Sequence, residues 1–159
     1  RFRLRAGFWS TIKLAVKRSQ LDKYMERAAQ CACKNVTVVV TGDPQMCFAC
    51  HCDYCQRATG SIGTFGAVFQ EQDVKTLDGE TIINDDFPNW PGLEKHFCAK
   101  CGTTVHWINP TVFPGMRMVS VGCFADPDFP GPDMVVQTQY RHKWCGSFDG
   151  ATEHEAFPS

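Results

Sequence analysis

Hydrophobic residues after residue 34 fall into short runs that are rich in Val, Thr and aromatic side chains. Gly, Pro, Asp and Asn separate these runs, and the Asp-Gly and Pro-Gly pairs among them favour turns. Such runs are typical of β-strands. Five of them predict strands: residues 35–42, 63–69, 103–108, 116–124 and 134–140. No helical period longer than about two turns follows residue 60, so we predict a mainly β protein.

Residues 1–24 differ from the rest of the chain. They place an apolar stripe from Phe8 to Val16 on a basic segment, a pattern that a transit peptide or a helix on a membrane surface can have. However, the chain does not begin with Met, and Met25 resembles a natural start. We therefore interpret residues 1–24 as a short basic N-terminal helix or extension, non-native or dispensable. Residues 25–159 are predicted to form a single domain.

Composition limits the possible classes of function. Of the 159 residues, 43% are hydrophobic and 21% charged, as in ordinary globular domains. No apolar run approaches the roughly 20 residues that span a bilayer. The net charge of −1 is distributed unevenly along the chain: residues 1–30 carry eight basic and two acidic side chains, and the remainder is acidic. Since the body lacks clustered Lys and Arg, we expect neither nucleic acid nor a membrane as a partner.

Ten cysteines carry the main chemical signal. Seven of them lie in close groups at residues 31–33, 50–55 and 98–101, and without a signal peptide this spacing favours metal binding over disulfides. We therefore expect a cytoplasmic protein. Disulfides, a single shared zinc ion and purely structural zinc ions are the alternatives. The remaining cysteines are more often small buried hydrophobes than ligands; they are Cys47, Cys123 and Cys145.

The first predicted metal site combines the motifs CAC, with Cys31 and Cys33, and CAKCG, with Cys98 and Cys101. The second motif has the spacing of a zinc knuckle, and Gly102 can adopt the positive φ that such a turn requires. Closing the long loop between the motifs costs on the order of 4 kcal/mol, which a structural zinc ion supplying roughly 10 kcal/mol can offset. Four thiolates leave no open position, so this site would be structural.

The motif CHCDYC forms the second predicted site, with Cys50, Cys52 and Cys55. On an extended segment alternate side chains share a face, so Cys50 and Cys52 would point one way and His51 and Cys47 the other. Three thiolates and one open position then remain. Zinc held in this way is a weak Lewis acid, but it can accept a thiol, which loses its proton and becomes a nucleophile toward aldehydes.

Three other residues are weaker candidates for substrate contact. Arg57, two residues after Cys55, could bind a substrate carboxylate or offset the negative charge of the zinc site. His142 and Trp144 follow a predicted strand and could reach a pocket. Packing of Trp144 on the β core is an equal alternative.

Four motifs, CAC, CHCDYCQRATGS, FCAKCGTTV and VGCFADPDFPGP, together resemble the glutathione-dependent formaldehyde-activating enzyme family, which includes the centromere protein V group. The resemblance implies a β-tent fold of small antiparallel sheets around two zinc ions. It also implies a catalytic ion on Cys50, Cys52 and Cys55 and a structural ion on the other four clustered cysteines. The family's carbon–sulfur lyase chemistry joins glutathione to formaldehyde, giving S-hydroxymethylglutathione. Family members usually have Gly where this chain has Lys34.

These observations lead to two hypotheses from different classes. The first is a zinc-dependent carbon–sulfur lyase or synthase with two Zn²⁺ per chain, which acts on a small thiol such as glutathione and on an aldehyde or other electrophile. The second is a zinc-stabilised interaction module without catalysis, which the basic segment of residues 1–24 would support.

Overall fold

The computed structural model describes residues 25–88 and 90–158. Within them lie one α-helix, α1 (Asp53–Thr59), three short 3-10 turns, and strands with the following bounds: β1 Glu26–Gln30, β2 Thr37–Thr41, β3 Met46–Cys50, β4 Thr64–Gln70, β5 Val74–Asp78, β6 Thr81–Asn84, β7 Glu94–Cys98, β8 Thr104–Ile108, β9 Met116–Ser120, β10 Met134–Val136 and β11 Thr152–Glu153. The predicted N-terminal helix or extension, residues 1–24, lies outside the described residues.

The strands form two sheets. β1, β2 and β5 make a three-stranded antiparallel sheet with β2 at its centre. The other strands make a larger sheet in the order β11, β10, β3, β4, β9, β8, β7, β6. Neighbours in it run antiparallel except at β10, which is parallel to β3 and β11. The predicted fold class, mainly β with antiparallel sheets, is confirmed, and one sheet is larger than the resemblance implied.

Hydrophobic side chains cover the larger sheet on both faces. Alternation along β4 places Ala67 and Phe69 in a core cluster that also contains Val38 and Val40 of β2, so this cluster joins the two sheets. Val68, between them, belongs to a second cluster with Trp107 and other apolar side chains. Leu93, Trp107 and Met118 of the second cluster line a cavity on this face of the sheet.

A buried polar network connects β8 and β9. Arg117 on β9 donates to Nδ1 of His106 on β8 over 2.8 Å, and its guanidinium also pairs with Glu71 at 2.7 Å. Burial, together with the nearby charges of His96 and Arg117, lowers the pKa of His106 to about 3. His106 is therefore neutral at physiological pH, with Nδ1 as the acceptor.

Candidate functional site

Four cysteines meet where two turns approach each other. Cys31 and Cys33 lie in the turn from β1 to β2, Cys98 ends β7, and Cys101 lies in the turn to β8. Their Sγ atoms all lie within 4.8 Å of one another. Because the two turns belong to different sheets, an ion held here would fasten the three-stranded sheet to the larger one.

The spacing of this four-cysteine cluster suits zinc. Cys31 Sγ lies 3.6 Å from Cys33 Sγ, which lies 3.7 Å from Cys98 Sγ. Four sulfurs placed tetrahedrally around zinc are about 3.8 Å apart. The Val36 amide donates to Cys31 Sγ over 3.2 Å, and such N–H bonds favour the thiolate form. None of the ten cysteines forms a disulfide.

The two turns that carry these cysteines share one backbone feature, a left-handed residue directly after the last cysteine of the motif. The Lys34 amide donates to the Cys31 carbonyl over 2.8 Å, and the Gly102 amide donates to the Cys98 carbonyl over 2.8 Å. Gly102 has a φ of 73° and Lys34 a φ of 61°, so both lie in the left-handed region that favours glycine. Lys34 therefore adopts the backbone conformation that a glycine would take at this position.

Three cysteines form the second cluster at the junction of β3 and α1. Cys50 ends β3, Cys52 is the N-cap residue of α1, and Cys55 lies in its first turn. Their Sγ atoms also lie within 4.8 Å of one another. The Cys55 amide donates to Cys52 Sγ over 3.3 Å. The helix, rather than the extended segment that the sequence suggested, brings Cys55 back beside Cys52.

The neighbouring residues Cys47 and His51 are not part of this cluster. The His51 ring is fully buried, and its Nδ1 donates to the Ile62 carbonyl over 2.8 Å. Cys47 is buried in the core cluster between the sheets, where burial raises the pKa of its thiol to about 11. Cys123 is also buried, whereas Cys145 is half-buried.

Electrostatics within the three-cysteine cluster favour one thiolate before the others. The Cys50 thiol, and more weakly the Thr64 hydroxyl, lower the pKa of Cys55 to about 6 against the effect of burial. The same contact with Cys55, followed by burial, raises the pKa of Cys50. Three close thiols that must share their protons are suited to a cation, whose charge would stabilise all three thiolates.

A cavity of about 510 Å³ opens beside this cluster, and all three of its cysteines line the wall. The size is within the range of cavities that hold small-molecule ligands. Most of the wall is aromatic or aliphatic, including Met46, Phe48, Trp90, Leu93, Trp107 and Met118. The four-cysteine cluster does not contribute to it, so only the three-cysteine cluster is next to space that a substrate could fill.

Four polar residues in this wall besides the cysteines were not predicted from the sequence: Tyr54, Thr64, Lys95 and Asn109. Lys95 on β7 is 6% exposed, and its ammonium lies 4.9 Å from the centroid of the Tyr54 ring. Burial lowers the pKa of Lys95, while the charges of Cys55, Cys52 and Cys50 oppose this shift. The Thr64 hydroxyl is buried without a normal hydrogen bond among the described residues. Tyr54 lies within the CHCDYC motif, but Lys95 and Thr64 reach the site only through sheet pairing.

The structure does not bring the three predicted substrate contacts to the cavity wall. Arg57 is exposed on α1 and lies 3.8 Å from Asp53. His142 and Trp144 stack with ring centroids 5.2 Å apart, and Trp144 is 74% exposed. Their contact with a substrate stays a prediction.

Fold and site together define a mainly β protein with two cysteine clusters that could hold metal ions, one of them beside a ligand-sized cavity. The glutathione-dependent formaldehyde-activating enzyme family matches residues 26–146. The chain belongs to this family.

Comparisons with individual proteins give weaker similarity than the family match. No curated protein matches the chain significantly. A crystal structure of a Rhodobacter sphaeroides protein is similar, with a TM-score of 0.46 and 19% sequence identity over 62% of this chain and 86% of that one. Within residues 25–88 and 90–158, no helix has the length and apolar character needed to cross a bilayer.

Proposed function

We propose that this protein is a zinc-dependent carbon–sulfur lyase or synthase, acting on a small thiol such as glutathione and on an aldehyde or other electrophile. The observation that carries the proposal is the position of the Cys50, Cys52 and Cys55 cluster in the wall of a cavity. Membership of the family supports glutathione and an aldehyde as the partners. A cytoplasmic location is part of the same proposal.

The two clusters would have different roles. The four cysteines between the sheets would hold a structural zinc ion, because their set has no open position. Cys50, Cys52 and Cys55 would hold the catalytic ion. When bound there, zinc supplies a position for a soft sulfur ligand and favours a thiolate over a thiol.

The residues of the chain itself would position the reactants and exclude water. Apolar walls such as Phe48 and Trp107 keep the cavity dry, which strengthens electrostatic interactions inside it. Lys95 offsets the negative charge of the three thiolates. In the synthetic direction the thiol sulfur bonds to the carbonyl carbon, the π pair moves to the oxygen, and that oxygen gains the proton that the thiol loses. Cleavage is the reverse, with no oxidation or reduction.

Metal content and a thiol screen test this proposal. We expect two zinc equivalents per chain, one in Cys52→Ala with the fold retained, and two in Cys145→Ala, which changes a cysteine outside both clusters. The zinc-loaded protein should accelerate the reaction of a thiol with an aldehyde, beginning with glutathione and formaldehyde. If no thiol binds or reacts, the protein is an interaction module instead.

A further inference from the structure

The cavity beside the three-cysteine cluster has a distinctive chemical character. Of its described lining residues other than the cysteines, Lys95 alone carries a charge. Apolar side chains of β3, β8 and β9, such as Phe48, Trp107 and Met118, form part of its wall. Val112 and Phe113 in the loop before β9 are half-exposed and also line the cavity, so they lie nearer to solvent.

The cavity wall suits neither component of S-hydroxymethylglutathione, the adduct of glutathione and formaldehyde. Glutathione carries two carboxylates and an ammonium group, and burying unpaired charges among apolar side chains is costly. A hydroxymethyl group derived from formaldehyde has two heavy atoms and would fill roughly a tenth of the 510 Å³. A cavity of this kind instead matches an apolar group with several ring or branched-chain carbons.

Two buried polar side chains of the wall are available to an oxygen atom of a ligand. Lys95 and Thr64 are 6% and 8% exposed, and both line the cavity with Cys55. Within the part of the chain that the structure describes, Lys95 has no ion pair with a carboxylate, and the Thr64 hydroxyl lies near Cys55 without a hydrogen bond of normal geometry. Buried polar groups normally have a partner, so an oxygen of the ligand would complete the hydrogen bonding of the Thr64 hydroxyl and give the Lys95 ammonium an acceptor besides the thiolates.

We propose that the electrophile handled at this site is a bulky apolar aldehyde, of the aromatic type, whose ring occupies the cavity and whose oxygen lies against Lys95 and Thr64. The inference rests on the proposed function and specifies its substrate class. Addition forms one carbon–sulfur bond, and the carbonyl oxygen becomes a hydroxyl with the proton that the thiol releases. Lys95 and Thr64 act on this oxygen as it gains negative charge. The thiol's own polar groups stay at the mouth of the cavity.

Binding of two inert thioethers tests the size of the ligand without requiring activity. Benzyl 2-hydroxyethyl sulfide and methyl 2-hydroxyethyl sulfide resemble adducts with and without a ring, and calorimetry on the zinc-loaded full chain compares them. We expect the benzyl compound to bind about tenfold more tightly or better, because its ring leaves water. Val112→Trp, which fills the cavity, should remove this advantage. Ile82→Trp, at a more exposed site outside the cavity, should retain it.

The role of Lys95 needs its own pair of probes. Phenylacetate should bind about tenfold more weakly to Lys95→Met than to the wild type, whereas phenylacetamide should bind equally to both. Lys75→Met, which removes an exposed lysine, is the matched control and should leave phenylacetate binding unchanged. Equal loss of both probes in Lys95→Met would mean that Lys95 only shapes the cavity, and would overturn the role of its charge.

The outcomes separate this inference from the proposed function. If both thioethers bind equally, the bulky-aldehyde inference fails, even where glutathione and formaldehyde react. If the benzyl compound is preferred and the protein accelerates thiol addition to benzaldehyde, relative to the uncatalysed reaction, at least tenfold more than it accelerates addition to formaldehyde, the inference stands. If the benzyl compound binds but no thiol reacts with any aldehyde, the proposed function fails and the cavity remains a site for apolar ligands.

Discussion

The two cysteine clusters differ in what surrounds them. The four-cysteine cluster lies between two turns of separate sheets, and its Sγ distances of 3.6 and 3.7 Å are close to those between sulfurs that share a zinc ion. The three-cysteine cluster lies where β3 of the larger sheet ends and α1 begins, and it faces a cavity. A cluster that joins sheets is suited to stability, and one that faces space is suited to chemistry.

Breaking the four-cysteine cluster should have the largest effect on stability. We expect Cys98→Ala to lose about 4 kcal/mol or more, because the binding energy of a structural zinc ion is part of the folding energy. Cys123→Ala, in the same buried core cluster but outside both metal sites, should lose only about 1 kcal/mol. Denaturant unfolding of the two variants gives the comparison. Equal losses would show that this cluster does not fasten the sheets.

The three-cysteine cluster depends on a close backbone approach at Gly63. A Cβ atom there would lie 2.4 Å from the Cys50 carbonyl oxygen and 3.2 Å from the His51 ring. Gly63→Ala should therefore displace Cys50, cost about 1 to 3 kcal/mol of stability and lower the zinc content toward one equivalent. Gly146→Ala meets nothing within 4 Å and is the matched control. Unchanged zinc content in Gly63→Ala would contradict this account of the cluster.

Acid should weaken the fold through His106, away from both clusters. Its pKa is lowered to about 3 in the fold, against about 6.5 in an unfolded chain. Below pH 6.5 the unfolded chain therefore takes up a proton that the folded one does not, and stability falls by up to about 1.4 kcal/mol per pH unit until about pH 3.

Comparing urea unfolding of the wild type and His106→Asn from pH 7 to pH 4.5 isolates this contribution. Zinc occupancy must be monitored at each pH, because acid also protonates the cysteines. The variant should show a smaller slope of stability against pH. An equal slope in both proteins would assign the acid sensitivity to other groups, such as the cysteines and His96, whose pKa burial also lowers.

The smallest effect is expected in the turn that carries the four-cysteine cluster. Because Lys34 has a φ of 61°, Lys34→Gly should relieve backbone strain and stabilise the fold by about 0.5 to 1 kcal/mol. Lys100→Gly lies in the other turn of the cluster, at a residue without a positive φ, and should not stabilise it. Thermal unfolding measures both, and a stabilised Lys100→Gly would refute the explanation.

The local pattern of hydrophobic and polar residues was enough to predict much of the fold. All five predicted strand runs contain strands, namely β2, β4, β8, β9 and β10. Strands β5 and β6 were missed because their side chains are largely exposed, so they lack a clear alternation of apolar and polar residues. β1, β3 and β7 are short and contain the cysteines or lead into them, so their composition resembled that of the metal motifs.

Close spacing along the chain predicted the three-cysteine cluster and each half of the four-cysteine cluster, whereas joining residues 31–33 to residues 98–101 rested on the energy that a shared zinc ion supplies and on the family resemblance. The cavity could not be predicted in this way. Lys95 on β7 and Thr64 on β4 belong to strands that are not neighbours in the sheet, and they converge only through its twist and order. Arg57 was chosen for its nearness to Cys55 in sequence, but the turn of α1 leaves its side chain 83% exposed.

Zinc-edge X-ray absorption of the loaded protein, with and without a thiol, tests the central difference between the two clusters most directly. With one site of four cysteines and one of three, the average number of sulfur neighbours per zinc should lie between three and four. It should rise by about one half when a thiol binds to the three-cysteine site. The rise should disappear in Cys52→Ala. A sulfur count that does not change with glutathione or with an aromatic thiol would contradict the account.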